Sequence, residues 1–429
     1  MNEGLRVAFY TQGCRLNQSE TAALTQSFDA NGYEICSYKS DPDITVVNTC
    51  TVTENGDKDT IKLLSQIRRI RPDTKVALIG CQSQVLRQKL MTLPNVQWVV
   101  GNQEKMGLAS LISETISQDT PSFHVSKIKR VPFSLSVPAI DRRHTRANLK
   151  IQDGCDNYCS FCVIPLARGP ARSRVFDNLV SEAKVLVESG HREIVLTGIN
   201  IGTYENEGKT LVDVLTALQG ITGLDRVRIS SIEPTTIPSQ VLAMMKSGSQ
   251  LCHYLHVPIQ SASDHVLGLM SRNYQVSDFV SFFQQAATEV PDVCIGTDVI
   301  VGFPGETKAD FDLTVANLMT LPIHYAHVFS YSERQYVRSR KYPDQVAPEV
   351  IKERSRILRG ISQQKKQAFM ARFEGACVPV LFEQFKKGEW HGLTQHYIRV
   401  RVKSEHDLEN QIIPVTLNQV DGQSMKGQV

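Results

Sequence analysis

Three cysteines lie close together near the middle of the chain, in the stretch GCDNYCSFCVIPLARG. Cys155, Cys159 and Cys162, called the loop set below, are separated by three and then two residues. Thiolates at this spacing can hold one iron-sulfur cubane and leave its fourth iron without a protein ligand. An open iron can bind a substrate or cofactor, whereas a ferredoxin closes its cluster with four cysteines. The alternatives are chance clustering and a zinc site, which needs a fourth Cys or His that does not follow within reach.

A second group of cysteines is dispersed over the first hundred residues but follows a regular pattern. Cys14, Cys50 and Cys81, called the strand-end set below, each end an apolar segment: RVAFYTQGC, ITVVNTC and KVALIGC. If these segments are parallel strands, their carboxyl ends meet in one crevice, so we expect a second three-cysteine iron-sulfur cluster with an open iron. Three unrelated buried thiols are the alternative. The remaining cysteines do not show this placement: Cys36, Cys252, Cys294 and Cys377.

The segments around the strand-end set alternate between strands and helices. This alternation predicts a parallel sheet with helices on its faces. The first helix, SETAALTQSFDANG, is expected to start with Ser19 as its cap and to stop at Gly32. Between about Gln118 and Ala147 the pattern lapses into a Pro-containing, basic stretch, which indicates an extended linker. Its cations are either solvated or part of a path for an anionic polymer.

From Asn148 onward the alternation resumes, with strands expected at LKIQ, EIVLTGI, RVRISSI, LHVPIQ, CIGTDVIVGF and HYAHVFSY. A full eight-unit barrel needs about 250 residues, so this shorter stretch predicts an open, partial (β/α)6 barrel. Active groups of such barrels lie at the carboxyl ends of the strands. Polar turn residues are also common there without any ligand, which is the alternative at each position. The candidate cofactor-binding residues are Thr197, Gly198, Asn200, Ser231, Glu233, Gln260, Asp298 and Gly302.

The last part of the chain combines basic and alternating patterns. A long basic helix is expected from about Pro348, followed by some fifty residues of short strands. In HYIRVRVK a period of two separates an apolar face from a basic one. Small β-barrels that bind single-stranded RNA combine cations with stacking rings, and a solvated strand face is the alternative. The candidate RNA-binding residues are Tyr397, Arg399, Arg401 and Lys403.

Composition and hydropathy limit the class of protein. With 429 residues, 41% of them hydrophobic and 21% charged, the chain has the composition of a soluble protein with two to four domains. The net charge of +3 says little about partners. The start MNEGLRVAFY lacks a basic region followed by an apolar run, and no apolar stretch approaches the roughly 20 residues that span a bilayer. We therefore expect no membrane association and a cytoplasmic protein, whose cysteines are free for metal binding.

With these motifs the chain resembles the radical S-adenosylmethionine (SAM) methylthiotransferase family over nearly its whole length. The resemblance rests on the dispersed N-terminal cysteines, the GCDNYCSFCVIPLARG core and C-terminal strands similar to a TRAM-type RNA-binding barrel. TQGCRLNQSET, LTGINIG, ISSIEP and VFSYSER resemble the branch that acts on N6-threonylcarbamoyladenosine in tRNA. One departure is visible: Gln335, Tyr336 and Val337 stand where the family usually has Pro-Gly-Thr. This departure puts the substrate contacts of that loop in doubt.

The resemblance implies a domain organisation. Residues 1–117 would form a Rossmann-like methylthiotransferase domain with an auxiliary cluster, and residues 118–147 a basic linker. Residues 148–372 would form the radical SAM domain, and residues 373–429 a small all-β TRAM (OB-like) domain. The loop set would hold a 4Fe-4S cluster that cleaves SAM to a 5′-deoxyadenosyl radical. The strand-end set would hold a second 4Fe-4S cluster, whose open iron carries a sulfur atom for methylation and transfer.

The implied reaction is methylthiolation of N6-threonylcarbamoyladenosine at position 37 of tRNA, in the anticodon stem-loop. It requires an electron donor, such as flavodoxin or ferredoxin, and a sulfur source. The alternatives are the same chemistry on isopentenyladenosine in tRNA or on a ribosomal protein, and an iron-sulfur RNA-binding protein without catalysis.

Overall fold

The computed structural model describes residues 4–52, 54–141 and 144–429. The first unit consists of strands and helices that alternate along the chain. Its elements are β1 (Arg6–Thr11), α1 (Arg15–Ala30), β2 (Glu34–Cys36), β3 (Ile44–Thr49), α2 (Glu54–Ile70), β4 (Lys75–Gly80), α3 (Cys81–Leu86), β5 (Val96–Val100), α4 (Leu108–Thr115) and β6 (Ser122–His124). The six strands form one parallel sheet in the order β2-β1-β3-β4-β5-β6. The predicted parallel sheet is confirmed.

The middle of this sheet is buried on both faces. Every residue of β3 (ITVVNT) and of β5 (VQWVV) is buried, as expected for apolar, β-branched strands covered by helices on each side. The predicted start of α1 is wrong, because the helix begins at Arg15 with Cys14 as its cap. Ser19 lies inside the helix and is 2% exposed. The apolar face of α1 packs on the sheet from Leu16 onward, so packing extends the helix beyond the predicted serine cap.

The segment expected to be a linker begins with regular structure. Ser122–His124 forms β6 and pairs with β5 in parallel. Phe123 packs against the apolar cluster on one face of the sheet. Short-range pattern missed this strand because it has only three residues, between Pro121 and a basic stretch.

The second unit has six main parallel strands with helices between them, and several strands of only two residues. Its elements are β7 (Arg146–Lys150), β8 (Gln152–Asp153), α5 (Ile164–Arg168), β9 (Arg172–Ser173), α6 (Phe176–Glu188), β10 (Glu193–Thr197), β11 (Glu205–Asn206), β12 (Lys209–Thr210), α7 (Leu211–Gln219), β13 (Arg226–Ile229), α8 (Gln240–Lys246), β14 (Tyr254–His256), α9 (Asp264–Leu269), α10 (Val276–Glu289), β15 (Cys294–Val301), α11 (Lys308–Thr320), β16 (Tyr325–Ser330) and α12 (Pro348–Ala371).

These strands form an open arc. β7, β10 and β13 are one parallel sheet, and β14, β15 and β16 are another. A parallel bridge between Val227 and Leu251 joins the two halves where β13 approaches β14. The predicted partial barrel of six strands is therefore confirmed, and its carboxyl ends face the first unit.

The third unit is a small closed barrel in the strand order β17-β18-β19-β21-β20. Its strands are β17 (Cys377–Lys386), β18 (Glu389–Thr394), β19 (Arg399–Val402), β20 (Ile412–Asp421) and β21 (Ser424–Gln428). It closes the amino end of the arc. Arg226 donates to the carbonyl of Leu393 over 2.9 Å, and Arg228 donates to the carbonyls of Thr394 and Gln395 over 3.1 and 3.0 Å.

No helix in the described ranges is both long enough and apolar enough to cross a membrane.

Candidate functional site

The loop set lies between β8 and α5, on a loop that backbone hydrogen bonds hold closed. The N–H of Cys155 donates to the carbonyl of Gly169, and that of Cys162 donates to the carbonyl of Cys159, each over 3.1 Å. Gly154 has φ +72°, and a Cβ at this position would collide with the returning backbone. Glycine is therefore required directly before the first cysteine. The backbone itself thus contributes to the shape of the loop.

Arg272 places a buried positive charge beside this loop. Its Nη1 donates to Sγ of Cys159 over 3.0 Å, and its other amino group pairs with Glu233. Burial, with a smaller effect from the neighbouring thiols, raises the pKa of Cys162 to about 12. A guanidinium at the sulfurs favours the thiolate form that iron binding needs. Arg272 was not predicted, because it lies 113 residues from Cys159 and no motif marks it.

Three of the barrel residues that were predicted to bind SAM line cavities next to the loop set. Asn200 and Cys155 line a cavity of about 380 Å³. Gln260 and Asp298 line another, of about 220 Å³, together with Cys162. Glu233 approaches the loop set through its arginine partner. The structure thus brings these candidates to the cysteines, and their contacts to SAM stay predictions.

The other candidates have packing roles in the structure. The hydroxyl of Thr197 donates to the carbonyl of Val195 in its own strand. At Gly198 and Gly302 a Cβ would collide with neighbouring isoleucine side chains. Ser231 is half-buried just beyond β13. The glycines therefore allow close packing at the strand ends, and all four residues remain predictions as SAM contacts.

Gln152 is a further positioning residue that sequence reasoning missed. Its Oε1 accepts the N–H groups of Ile199 and Asn200 over 2.9 and 3.0 Å, and its Nε2 donates to the carbonyl of Gly154 over 2.9 Å. The side chain is fully buried. It therefore ties the turn after β10 to the loop set. Its position as the polar end of the apolar strand LKIQ was the available signal.

The strand-end set lies where the sequence placed it. Cys14, Cys50 and Cys81 follow β1, β3 and β4, which are neighbours in the sheet. Burial, with a smaller effect from the charges of the other two thiols, raises the pKa of Cys50 to about 11. The three sulfurs therefore belong to one electrostatic site.

Asn17 holds two of the strand-end loops together. Its Nδ2 donates to the carbonyl of Gln12 over 2.8 Å and to that of Thr49 over 3.0 Å. These carbonyls precede the first two cysteines of the set. Gly13 has φ +87°, and a Cβ there would collide with Cys50. The two loops thus pack closely enough to require glycine between them.

One cavity extends from the loop set to chain close to the strand-end set. The 220 Å³ cavity that includes Cys162 is also lined by Val52, two residues after Cys50. Another part of its wall is formed by Phe329, Ser330 and their neighbours at the end of β16. A ligand in this cavity would therefore lie beside Cys162 and next to the chain that follows Cys50.

The segment 333–340 connects the two sets across the rim of this cavity. Arg334 donates to Oγ1 of Thr51 over 2.7 Å and pairs with Asp57 over 2.6 Å. Arg338 donates to the carbonyl of Tyr158, within the loop set's own loop, over 2.8 Å. The segment therefore contacts chain next to Cys50 and chain between the loop-set cysteines.

The departure from the family pattern falls in the middle of this segment. Tyr336 is 42% exposed, whereas Val337 is 7% exposed and packs inward. Gln335 and Tyr336 line a cavity with Asp57 and Val163, and Tyr336 and Val337 line another with Cys159 and Cys162. The contacts of the flanking arginines are kept, so the departure changes the rim and leaves the anchoring of the segment intact.

The candidate RNA-binding residues do not share one face. Tyr397 has φ +62° and stacks on Tyr254 of the partial barrel, with ring centroids 4.4 Å apart. The alternation of exposed and buried side chains along the strand begins only after Tyr397. The prediction that Tyr397 shares a strand face with the three cations is therefore wrong. Arg399 and Lys403 are exposed, whereas Arg401 pairs with carboxylates of β18 and β20. RNA binding by these cations stays a prediction.

Two family models match this chain. The radical SAM superfamily model matches residues 149–318, and the model of the uncharacterized protein family UPF0004 matches residues 6–101. A threonylcarbamoyladenosine tRNA methylthiotransferase, MtaB, of Bacillus subtilis is 36% identical, over 96% of this chain and 93% of that protein. The chain belongs to the radical SAM methylthiotransferase family. The resemblance read from the cysteine motifs is confirmed.

Further relatives of this methylthiotransferase come from two branches. The MtaB protein of Aquifex aeolicus is 35% identical, over 92% of this chain and 96% of that one. A tRNA-2-methylthio-N(6)-dimethylallyladenosine synthase of Cereibacter sphaeroides is 29% identical, over 100% of this chain and 99% of that one. Among solved structures, the radical SAM methyltransferase TsrM of Kitasatospora setae is similar, with TM-score 0.56 and 16% identity, over 78% of this chain and 77% of that one. That likeness concerns the fold.

The residues of the methylthiotransferase fit the two clusters that its family uses. In the described parts of the chain, each set offers three thiols and no fourth cysteine, as an iron with an open position requires. A buried arginine lies close to each set: Arg272 at the loop set, and Arg168 near enough to Cys14 and Cys81 for their charges to interact. Positive charge beside converging thiols is the environment that an anionic cluster needs.

Proposed function

We propose that this methylthiotransferase converts N6-threonylcarbamoyladenosine at position 37 of tRNA to its 2-methylthio derivative. The observation that carries the proposal is the single cavity bordered by Cys162 and by the chain next to Cys50. A base carbon in such a cavity would lie beside the loop set and close to the chain that follows Cys50. The substrate assignment is supported by the relatives at 36% and 35% identity, which are named for threonylcarbamoyladenosine.

The loop set would hold the 4Fe-4S cluster that binds SAM, and the strand-end set the auxiliary 4Fe-4S cluster. When bound, these groups supply a 5′-deoxyadenosyl radical, which can abstract hydrogen from an unactivated carbon, and the sulfur to be transferred. The protein contributes position and shielding. Arg272 holds Glu233 against the loop set, and Gln152 fixes the turn at Asn200.

The remaining assignments belong to the same proposal. SAM would contact the candidate residues at the carboxyl ends of the barrel strands, around the loop set. The anticodon stem-loop would contact Arg399 and Lys403 on the small barrel. A base inside a folded loop must be splayed out before it can enter the cavity. The electron would come from a flavodoxin or ferredoxin and the sulfur from a separate source, in the cytoplasm. The domains would be 1–117, 118–147, 148–372 and 373–429.

The proposal is tested with two tRNAs. Purified enzyme, reconstituted with iron and sulfide under anaerobic conditions, is given SAM, reductant and tRNA that bears either threonylcarbamoyladenosine or isopentenyladenosine. Mass spectrometry of the nucleosides should show methylthiolation of the first tRNA alone. Modification of the second alone would overturn the substrate while leaving the chemistry in place. Modification of neither would favour a ribosomal protein as substrate, and absence of SAM cleavage would favour a non-catalytic RNA-binding protein.

A further inference from the structure

Arg168 lies at the seam between the first unit and the partial barrel and is completely buried. Its Nη1 donates to Oε1 of Glu20 over 3.1 Å and to Oδ1 of Asp153 over 2.9 Å. Its Nη2 donates to Oδ1 of Asn17 over 2.5 Å and to Oε2 of Glu20 over 3.2 Å. One guanidinium therefore binds side chains of both units.

These contacts connect Arg168 to both cysteine sets. Asn17 holds the backbone on either side of the strand-end set, as described above. Asp153 accepts the N–H of Gly154 over 2.9 Å, directly before Cys155. The arginine itself follows the loop set in the chain, six residues after Cys162. Arg168 is thus the shared support of the two sites.

The charges around Arg168 do not balance. Glu20 contacts Lys105 and Lys150 over 2.5 and 2.7 Å in addition to Arg168. The same lysine, Lys150, contacts Asp153 over 2.6 Å. In this group two carboxylates, Glu20 and Asp153, face four cations: Lys105, Lys150, Arg168 and Arg172. All six side chains are at most 8% exposed, and an uncompensated buried charge is strongly unfavourable.

Two of these cations, Arg168 and Lys105, lie close enough to the strand-end set for their charges to act on Cys81. Although burial opposes the charge of Arg168, the charges of Cys81, Glu20, Asp153 and Cys14 raise its pKa. Its Nε is buried and has no acceptor among the described residues. Burial lowers the pKa of Lys105 to about 8, and repulsion from Arg168 and Lys150 adds to this while Glu20 opposes it. Among the described residues, the group therefore carries more positive than negative charge close to the strand-end thiols.

We propose that Arg168, together with Lys105 and Lys150, provides the counter-charge for an auxiliary cluster at the strand-end set and thereby raises its reduction potential. A 4Fe-4S cluster with three thiolates has a net negative charge and becomes more negative when it is reduced. Cations fixed in a dry seam stabilise the reduced form more than the oxidised form. Arg168 is then a positioning residue that also joins the auxiliary site to the loop set. The proposal rests on the two-cluster assignment above.

The charge effect is tested with Lys105→Met in the full-length protein. The loop set is replaced by alanine in this background, so only the strand-end set can hold iron. The substitution removes one surplus cation and leaves Glu20 paired with Lys150 and Arg168. A redox titration followed by electron paramagnetic resonance should show a shift of the auxiliary cluster to lower potential. Arg168→Met should shift the potential in the same direction. Arg168→Lys keeps the charge, so its potential should stay close to that of the protein with Arg168.

Thermal unfolding of the same variants separates a charge effect from a packing effect. In the metal-free protein Lys105→Met removes a repelled, desolvated cation and should raise the melting temperature. In the cluster-loaded protein it removes a favourable charge and should lower it. A residue that only fills space would change both forms in the same direction. Arg228→Met is the matched control: Arg228 is equally buried, pairs with Glu193 at the other seam, and should destabilise both forms without changing the potential.

Two outcomes would overturn the proposal. Full iron content with an unchanged potential in Lys105→Met would show that the surplus charge does not act on the cluster. Loss of all iron from the protein that lacks the loop set would refute the auxiliary cluster itself, and with it the two-cluster assignment. The iron measurement therefore distinguishes failure of this proposal from failure of the proposed function.

Discussion

The two cysteine sets are assembled in different ways. The loop set occupies eight consecutive residues, and hydrogen bonds within the loop together with Gly154 determine its shape. The strand-end set is spread over 68 residues and converges only because β1, β3 and β4 are neighbours in the sheet. A local site of this kind depends on a few backbone contacts, whereas a dispersed site depends on the tertiary fold.

The surroundings of the two sets differ in charge as well. At the loop set Arg272 is matched by Glu233. In the seam next to the strand-end set, four cations around Arg168 face only two carboxylates. A balanced site suits a cluster that must also bind the charged groups of SAM, and a cationic one suits a cluster that carries sulfide. The comparison predicts that the two sets can be removed separately, with different consequences.

The largest effect is expected when the loop set is replaced by alanine. Reconstituted wild-type protein should bind about eight irons, because each three-cysteine set suits one cubane. The triple variant should keep about four of them. Reductive cleavage of SAM should be abolished, since no other site offers the cluster that SAM binds. Iron analysis and assay of 5′-deoxyadenosine check this. SAM cleavage at the wild-type rate would show that the loop set is not the SAM site.

Replacing the strand-end set by alanine should separate the two activities. Iron should again fall to about half, because the loop set is intact. SAM cleavage under strong reductant should persist, while methylthiolation of tRNA should be lost for want of the sulfur site. An iron content equal to that of the wild type would contradict the two-cluster assignment. The strand-end cysteines would then be thiols that bind no iron.

The difference between the sets also explains what the sequence could reveal. The spacing of Cys155, Cys159 and Cys162 is a local signal, so it was readable directly. The strand-end set was readable because each cysteine ends an apolar run, and runs of this kind become parallel neighbours. The sheet order that makes them adjacent came only with the structure.

The supporting residues were mostly beyond sequence reasoning. Arg272 and Arg168 act through contacts to residues 113 and 148 positions away in the chain, and no spacing rule covers such distances. The prediction for Tyr397 was wrong because the alternation of the strand was extended to a residue that precedes the strand and has positive φ. Contacts between domains depend on docking, which periodicity does not encode.

A smaller, local effect is expected from Gly154→Ala. The left-handed backbone at this position costs a non-glycine residue about 1–2 kcal/mol, and the collision with the returning backbone adds to this. The loop set should lose iron in part while the strand-end set keeps its own, which iron analysis and the reduced-cluster spectrum would resolve. Gly208→Ala is the matched control, since Gly208 also has positive φ but lies in open space. Equal iron loss in both variants would show that the loop set needs no preorganised turn.

The smallest effect is expected from the exposed cations of the small barrel. Arg399 and Lys403 are exposed, whereas Arg401 is already paired with two carboxylates. Replacing Arg399 and Lys403 by alanine should weaken tRNA binding and reduce its salt dependence by about one unit of slope for each phosphate that is no longer neutralised. SAM cleavage without tRNA should be unchanged, because the loop set lies at the carboxyl ends of the barrel strands, whereas the small barrel packs at their amino ends. Lys308→Ala, an exposed cation on α11 with an acidic partner, is the control. If tRNA affinity and its salt slope are the same in all three proteins, the basic strand is only a solvated face, and RNA must reach the two cysteine sets by another surface.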